Sequence, residues 1–319
     1  MGFIKPRVAV TGANGFIGQS VVEELKLCNV ETVSLVRRLD KVVQDSNSGH
    51  ISRVWEGLRE GADYNGLFEG CSAVVHCAAR VHVLHETASN PDALFDEMNA
   101  LCTIALAKQA ISDGVSTFVF ISTIGVLGDS TQGTSFSLDT EANPHNAYAR
   151  SKLKAEVALQ KLGKESGMNI VIIRPPLVYG PNAPGNFAKL AGLIQKGIPL
   201  PFAGVKNKRA FVSIRNLANA IVFAVLNPSK VTQPVVITDG ENISTAELMK
   251  RIIKASNAST KLIYCPSFLL KLLFILLGKR TMATQLLGDL EVDHKSFQKH
   301  MSWHANTTMS DVLSEIYKK

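Results

Sequence analysis

A tyrosine and a lysine stand four residues apart at Tyr148 and Lys152, which on a helix places them one turn apart on a shared face. A phenol titrates near about pH 10 and carries protons poorly at neutrality unless its anion is stabilised. An ammonium at that spacing supplies the stabilisation and can also hold a ribose hydroxyl. Such a pair can exchange a proton with a carbonyl oxygen while hydride moves at the attached carbon. A third donor should polarise that oxygen. The apolar stretch Thr117–Ser122 (TFVFIS) ends on Ser122 and Thr123, at the carboxyl edge of a strand, where doubly wound sheets place their ligands.

Hydride chemistry needs a dinucleotide, and the chain offers a place for one at Thr11-Gly12-Ala13-Asn14-Gly15-Phe16-Ile17-Gly18. Gly12, Gly15 and Gly18 permit a tight turn, close approach of backbone to a pyrophosphate, and close packing of helix on strand. The backbone of Phe16, Ile17 and Gly18 would open the helix, whose unpaired N–H groups and partial positive charge suit phosphates. The second strand ends Val36-Arg37-Arg38, with no acid before Asp40. A carboxylate there would bind the ribose hydroxyls of NAD, whereas Arg37 and Arg38 can fork onto a 2′-phosphate. A charge-assisted bond of about 1.5–3 kcal/mol corresponds to roughly a ten- to hundredfold preference. The cofactor expectation is therefore NADP(H), with NAD(H) as the other choice.

The elements that must hold these groups can be read from hydrophobic pattern. Arg7–Thr11, Glu31–Val36, Ala73–Cys77, Thr117–Ser122 and Asn169–Arg174 read as buried strands. Helical stretches lie between them, including one from about Asp92 to Ala110 and one carrying Tyr148–Lys161. Strand and helix in alternation imply an α/β fold, a doubly wound parallel sheet covered on both faces. After Arg174, prolines punctuate shorter segments, with helices near Phe187–Lys196 and Arg215–Leu226, and a capping box at Ser244 to Glu247. The expected division is a dinucleotide-binding domain over 1–174 and a smaller, mostly helical substrate lobe over 175–319.

Composition narrows the function classes. A 319-residue chain that is 46 % hydrophobic and 19 % charged can bury a large core and is not a disordered sequence. Its net charge of +7 is spread out, without the Lys/Arg block of a nucleic-acid arm. Five cysteines form no C-x-x-C pair; Cys28, Cys77 and Cys102 lie in apolar stretches and should pack as small hydrophobes. The thiols imply a reducing, cytoplasmic setting and no metal site. The start of the chain has no signal-peptide pattern. Phe268–Leu277 is greasy, but it is about half the length of a membrane span and is interrupted by Lys271. It is expected to be a buried or interface helix.

The glycine loop, Ser122-Thr123, Tyr148-Ala149-Arg150-Ser151-Lys152 and Arg174-Pro175-Pro176-Leu177-Val178-Tyr179-Gly180-Pro181 together resemble the extended short-chain dehydrogenase/reductase family of nucleotide-sugar enzymes. The resemblance runs from about residue 5 to the C-terminus. It implies a Rossmann fold with Thr123, Tyr148 and Lys152 as the catalytic triad. It places Ala78 and Ala79 along the cofactor groove, Pro175 against the nicotinamide, and Asn99 as a brace of the neighbouring strand. Glu56-Gly57-Leu58 departs from the family's acid near the adenine, so Leu58 or backbone contacts are implied instead. In the second half, Asn186 and Arg209 resemble residues that touch a nucleoside diphosphate, and His82 could reach the sugar. A helix-mediated homodimer is common in the family.

Among the family's reactions, 4,6-dehydration needs an acid and a base after the threonine, where Ile124-Gly125 stands. A 4-epimerase keeps NAD bound and has no need for an NADPH-selective pocket. The segments AARVHVLHE, IIRPPLVYGP and LPLPFAGVKNKRAFVSI are similar to those of bacterial reductases of UDP-4-keto-6-deoxy-N-acetylhexosamines, which make surface polysaccharide precursors. The expectation is NADPH-dependent 4-ketoreduction of such a UDP-sugar, with UDP-hexose 4-epimerisation on NAD as the alternative. A non-catalytic dinucleotide sensor is a third reading, which the retained tyrosine and lysine oppose.

Overall fold

The computed structural model describes residues 6–38, 49–81 and 91–318. The chain divides into two compact units. One comprises residues 1–126, 142–174 and 218–235, the other 127–141, 175–217 and 236–319.

The first unit is built on β1 (Arg7–Thr11), β2 (Glu31–Val36), β3 (His50–Val54), β4 (Ala73–His76), β5 (Thr117–Ile121) and β6 (Asn169–Arg174). With β9 (Val235–Val236) they make a seven-stranded sheet in the order β3-β2-β1-β4-β5-β6-β9. The pairings from β3 through β6 are all parallel. β1, β4 and β5 are almost wholly buried and read as unbroken apolar runs, as strands covered on both faces must. The order reverses beside β1, so the carboxyl ends of β1 and β4 flank the switch point at which doubly wound sheets hold ligands.

Helix α1 (Phe16–Leu27) follows β1, with Val21, Val22 and Leu25 buried. Helices α2 (Pro91–Asp96) and α3 (Cys102–Ser112) are joined by a π-helical turn over Glu97–Leu101, the register slip that buries Asn99. Helix α4 (Ala147–Ser166) begins at Asn146, whose Oδ1 accepts the Ala149 N–H at 2.8 Å, and ends on Gly167 in the left-handed conformation. Leu106, Ala107 and Ala110 of α3 and Ala155 and Leu159 of α4 share one core with Phe118 and Phe120 of β5. The chain leaves this unit through α5 (Asn186–Gln195) and returns along α6 (Ile214–Leu226), whose Asn219 Nδ2 donates to Glu24 of α1 at 2.8 Å.

The second unit contains a feature the hydrophobic pattern did not reveal, a three-stranded sheet. β8 (Arg209–Ser213) lies between β7 (Leu177–Tyr179), parallel to it, and β10 (Asn242–Ile243), antiparallel. Strands of two and three residues are too short to show an alternation. Helices α7 (Thr245–Ser256), α8 (Ser267–Leu276), α9 (Arg280–Leu287), α10 (His294–Met301) and α11 (Met309–Tyr317) follow.

Three local expectations need correction. Ser244 caps α7 by accepting the Glu247 N–H at 3.0 Å, but Glu247 turns its carboxylate to Arg251 rather than back to the cap. The full reciprocal box is instead at Thr308 and Asp311 of α11. Cys28 does not pack as a small hydrophobe; it follows the last residue of α1 and is exposed. Of the two expectations for the greasy helix α8, buried or interface, burial within the chain fails: apart from Leu270, most of its apolar side chains face outward.

Candidate functional site

The glycine loop turns directly from β1 into α1. Gly12 has φ +65° and lies so close to the next strand that a Cβ on it would come within 2.8 Å of the Ala78 nitrogen. A Cβ on Gly18 would sit 2.1 Å from the Gly12 carbonyl oxygen. That space admits only hydrogen, so both positions require glycine. The Gly15 N–H closes the turn on the Gly12 oxygen at 2.8 Å. Gly15 is also the N-cap of α1 and brings no capping side chain, and the first turn has no acid. The backbone N–H groups of Phe16, Ile17 and Gly18 therefore open the helix with no intrahelical acceptor, a cradle that fits a dinucleotide pyrophosphate.

Ala78 is fixed beside this turn. Thr11 and His76 are register partners on β1 and β4. The Thr11 hydroxyl bonds His76 Nδ1 at 2.8 Å and accepts the Ala78 N–H at 3.2 Å. His76 Nε2 bonds the Thr103 hydroxyl of α3 at 3.0 Å. Complete burial, with the Lys152 charge as a lesser cause, pulls His76 down to about 3, so the ring is neutral and acts as a strut. Ala79 follows, half-buried.

At the end of β2, Arg37 and Arg38 are exposed. The stem of Arg37 lies over the turn at Gly57, its Cδ 3.3 Å from where a Cβ would be. Leu58, half-buried, packs from the same turn onto the core. Glu56, preceding that turn, is paired with Arg59.

The Tyr148 and Lys152 pair lies on the first turns of α4. Lys152 is 2 % exposed, with Nζ donating to the Ile121 carbonyl at 2.8 Å. It sits 4.4 Å from the Phe120 ring centre and 5.9 Å from that of Tyr148. Burial lowers Lys152 to about 8, against the opposing pull of Cys77 and Glu156. Burial also raises the half-buried Tyr148 phenol to about 12. The Tyr148 ring meets Phe95 edge-on at 6.1 Å. Thr123 follows β5 and is half-buried, its Oγ1 accepting the Gly125 N–H at 3.1 Å. A Cβ on Gly125 would contact Thr123 Oγ1, His145 and the Ala149 side chain, so this glycine lets Thr123 and the start of α4 approach.

Of two supports, Glu156 escaped sequence reasoning, whereas the family resemblance implies Asn99 as a brace of the neighbouring strand. Glu156, one turn beyond Lys152 on α4, is 1 % exposed and accepts from both Ser122 and Arg174. Ser122 thus spends its hydroxyl on the Glu156 carboxylate, which is ion-paired with Arg174 at the ends of β5 and β6. The signal was present as an acid four residues past Lys152, but nothing in one sequence names its partner on a distant strand. The other support is Asn99, which holds the Arg80 N–H (2.8 Å) and carbonyl (3.0 Å) and reaches the Ser151 hydroxyl at 3.2 Å. It ties the segment after β4 to the helix that bears Tyr148. Pro175, buried, directly follows Arg174; His82 lies outside the described residues.

In the second unit, Asn186 and Arg209 meet one segment. Asn186 Nδ2 donates to Gln285 at 3.0 Å. Arg209 donates to the carbonyls of Gly288 at 2.7 Å and Thr284 at 3.3 Å, the end of α9, where a cation suits the helix dipole. Burial lowers Arg209 to about 10, with Asp289 and Asp129 opposing. Among the described residues no group of His, Cys, Asp and Glu could hold a metal ion, and no helix is long and apolar enough to cross a membrane.

Comparisons with known proteins identify the family and the fold. The model of the NAD dependent epimerase/dehydratase family matches residues 8–238. A UDP-glucose 4-epimerase of Vibrio cholerae is 36 % identical over 306 residues, 95 % of this chain and 92 % of the relative. The structure of Thermotoga maritima UDP-glucose 4-epimerase with UDP-glucose superposes with a TM-score of 0.76 at 19 % identity, covering 98 % of this chain and 97 % of that one. The Thermus thermophilus UDP-glucose 4-epimerase complex with NAD gives 0.73 at 22 % identity, covering 97 % and 96 %. At such identities the two structures speak for the fold alone.

Proposed function

This chain belongs to the NAD dependent epimerase/dehydratase family, and from that premise we propose that it is a UDP-hexose 4-epimerase. The observation that carries this reading is the Vibrio cholerae relative, a UDP-glucose 4-epimerase matched along 95 % of the chain. This reverses the preference drawn from the sequence alone, in which 4-ketoreduction came first.

The residues suit the task. A nicotinamide dinucleotide, when bound, supplies the hydride acceptor and donor. The glycine cradle from Gly12 to Gly18 holds its pyrophosphate, with Ala78, Ala79, Leu58 and Pro175 along the remainder. Tyr148 takes the proton of the sugar C4 hydroxyl as the carbonyl forms, and returns it when C4 is reduced on the opposite face. To accept that proton Tyr148 starts as the phenolate, an anion the Lys152 ammonium stabilises, and Thr123 donates to the C4 oxygen. Asn186 and Arg209 are the second unit's candidates for the nucleoside diphosphate, since a guanidinium forks onto phosphate oxygens.

A second reading keeps its own support. Arg37 and Arg38 are exposed at the end of β2, and Glu56, beside the Gly57 turn that Arg37 covers, is engaged by Arg59. That environment favours a 2′-phosphate, hence NADP(H), and with it NADPH-dependent reduction of a UDP-4-keto-6-deoxy-N-acetylhexosamine for surface polysaccharide synthesis. One experiment separates the two. Purified protein is given UDP-glucose with NAD, and in parallel UDP-4-keto-6-deoxy-N-acetylglucosamine with NADPH. Formation of UDP-galactose supports the epimerase. Stoichiometric NADPH oxidation, with UDP-glucose left unchanged, rejects it in favour of the reductase.

A further inference from the structure

Helix α8 presents to solvent what a soluble domain ordinarily buries. Phe268, Leu272 and Leu276 form one row along it and Leu269 and Leu273 the next. Exposures reach 68 % at Phe268 and 76 % at Leu276, and Leu277 just past the helix and Ile263 and Tyr264 shortly before it are exposed too. Scattered exposed apolar residues are ordinary, but a contiguous patch of this kind marks an interaction surface.

The patch is firmly based. Leu270 is buried beneath it. The strand-like segment before the helix is pinned by Leu200 N to Lys261 O (2.9 Å), Ile263 N to Leu200 O (2.9 Å) and Ala203 N to Ile263 O (3.1 Å). The helix is therefore held with its apolar face outward by a hydrogen-bonded platform.

Charge identifies the occupant. Lys261, Lys271, Lys279 and Arg280 are all exposed in and around the patch, and residues 248–288 contain no Asp or Glu. Lys271 flanks the apolar rows, where its stem can lie along them with the ammonium at the edge. A second copy docking through the same patch would bring these cations against their own counterparts across a twofold axis, with no carboxylate from this stretch to pair them. An anionic lipid surface supplies both requirements, acyl chains for the apolar rows and headgroup phosphates for the cations. At ten residues α8 is about 15 Å long, half a bilayer core, so it can lie in the interface but cannot span it.

We propose that α8 and its flanking cations form a docking surface for anionic membranes, holding this unit at the lipid interface. The proposal is independent of which sugar reaction the enzyme performs.

Co-sedimentation with vesicles of phosphatidylglycerol and phosphatidylcholine, against vesicles of phosphatidylcholine alone, tests it. The full chain is expected to pellet with the anionic vesicles and far less with the neutral ones. Each basic residue at such a surface strengthens binding by about fivefold, so Lys279→Glu with Arg280→Glu should weaken it by about twenty-fivefold or more. Leu272→Asp with Leu276→Asp should abolish it. Circular dichroism checks that each variant is folded, and if the aspartate variant is not, the charge reversal on two exposed residues carries the test alone. Wild-type protein remaining in the supernatant with both vesicles would overturn the proposal. So would equal binding by a folded charge-reversed variant, or a dimer seen by light scattering that the aspartate variant splits, without any lipid binding.

Discussion

Tyr148 and Tyr179 sit in different units and meet charges of opposite sign. Tyr148 lies half-buried at the start of α4, its ring 5.9 Å from the Lys152 ammonium. Tyr179 is wholly buried at the end of β7 and donates its hydroxyl to Asp239 at 2.5 Å. Burial raises both phenols, and at Tyr179 the Asp239 carboxylate pushes further the same way. An anion beside a phenol locks the proton on, whereas a cation makes the phenolate reachable once a negative oxygen is needed. On the proposed reading the same side chain serves as a proton carrier in one unit, while in the other it is a hydrogen-bonded post. Asp239 is itself held by Asn216 Nδ2 at 2.7 Å and the Ser213 N–H at 2.9 Å, a fixed knot rather than a site of exchange.

The largest effect should come from removing the first hydroxyl. Tyr148→Phe is expected to lower turnover on the true substrate by roughly a hundred- to ten-thousandfold, the usual contribution of a positioned proton carrier. Its melting temperature should barely move, because the ring contact with Phe95 is kept. Steady-state rates alongside a thermal melt check both halves. Retention of full turnover would sink the assignment of Tyr148 and with it the contrast drawn above.

Next in size is the ion pair that backs the catalytic helix. Glu156→Gln leaves the largely buried Arg174 without its carboxylate, an effect toward the low end of about 3–5 kcal/mol in stability by denaturant titration. It also removes one of the charges that hold the Lys152 ammonium up. The pH at which activity fades should therefore move lower, which loss of stability alone would not cause.

Much of this arrangement was legible in the sequence. Five of the seven strands of the large sheet announce themselves as apolar runs, while β3 (HISRV) is too polar and β9 too short to do so; the glycine spacing predicts the turn at Gly12 and Gly18 that the backbone shows. Local signals suffice where the chemistry is local: Tyr148 and Lys152 share a helix, and Thr123 ends a strand. Glu156, His76 and Asn207 were illegible because their partners are remote. His76 takes its role from Thr11 and Thr103, and Asn207 from Thr245, Leu286 and Gly288, tens of residues away in the chain. The greasy run at Phe268–Leu277 left its two readings, buried or interface helix, undivided for a related reason. Hydrophobicity implies something to cover it, and one sequence does not show whether the chain itself supplies the cover.

Tyr179→Phe sharpens the comparison from the other side. The hydrogen bond to a carboxylate is worth about 1.5–3 kcal/mol, and its loss should appear as a lower denaturation midpoint. Asp239 retains Asn216 and Ser213 as donors, so the low end of that range is expected. Turnover at a temperature where the variant stays folded should match the parent. A Tyr179→Phe enzyme of normal stability but low activity would mean that both tyrosines serve the reaction.

The smallest effect is a pH dependence carried by Lys152. Its ammonium is the form that stabilises a phenolate, and burial has lowered it from the ordinary lysine range to about 8. Below that pH the charge is present and the rate should be flat on this account. Above it the side chain loses its proton, and kcat/KM should fall about tenfold for each further pH unit. The sign for stability is opposite. The unfolded chain keeps its lysine protonated up to the ordinary value while the folded chain has released the proton, so this group makes folding more favourable as pH rises through that interval. An enzyme that loses activity above about pH 8 while its melting temperature holds or rises fits a buried, working ammonium. Activity and stability falling together would assign the loss to general unfolding. Lys152→Arg separates the cases further, because a guanidinium stays charged throughout and should remove the alkaline fall in whatever activity remains.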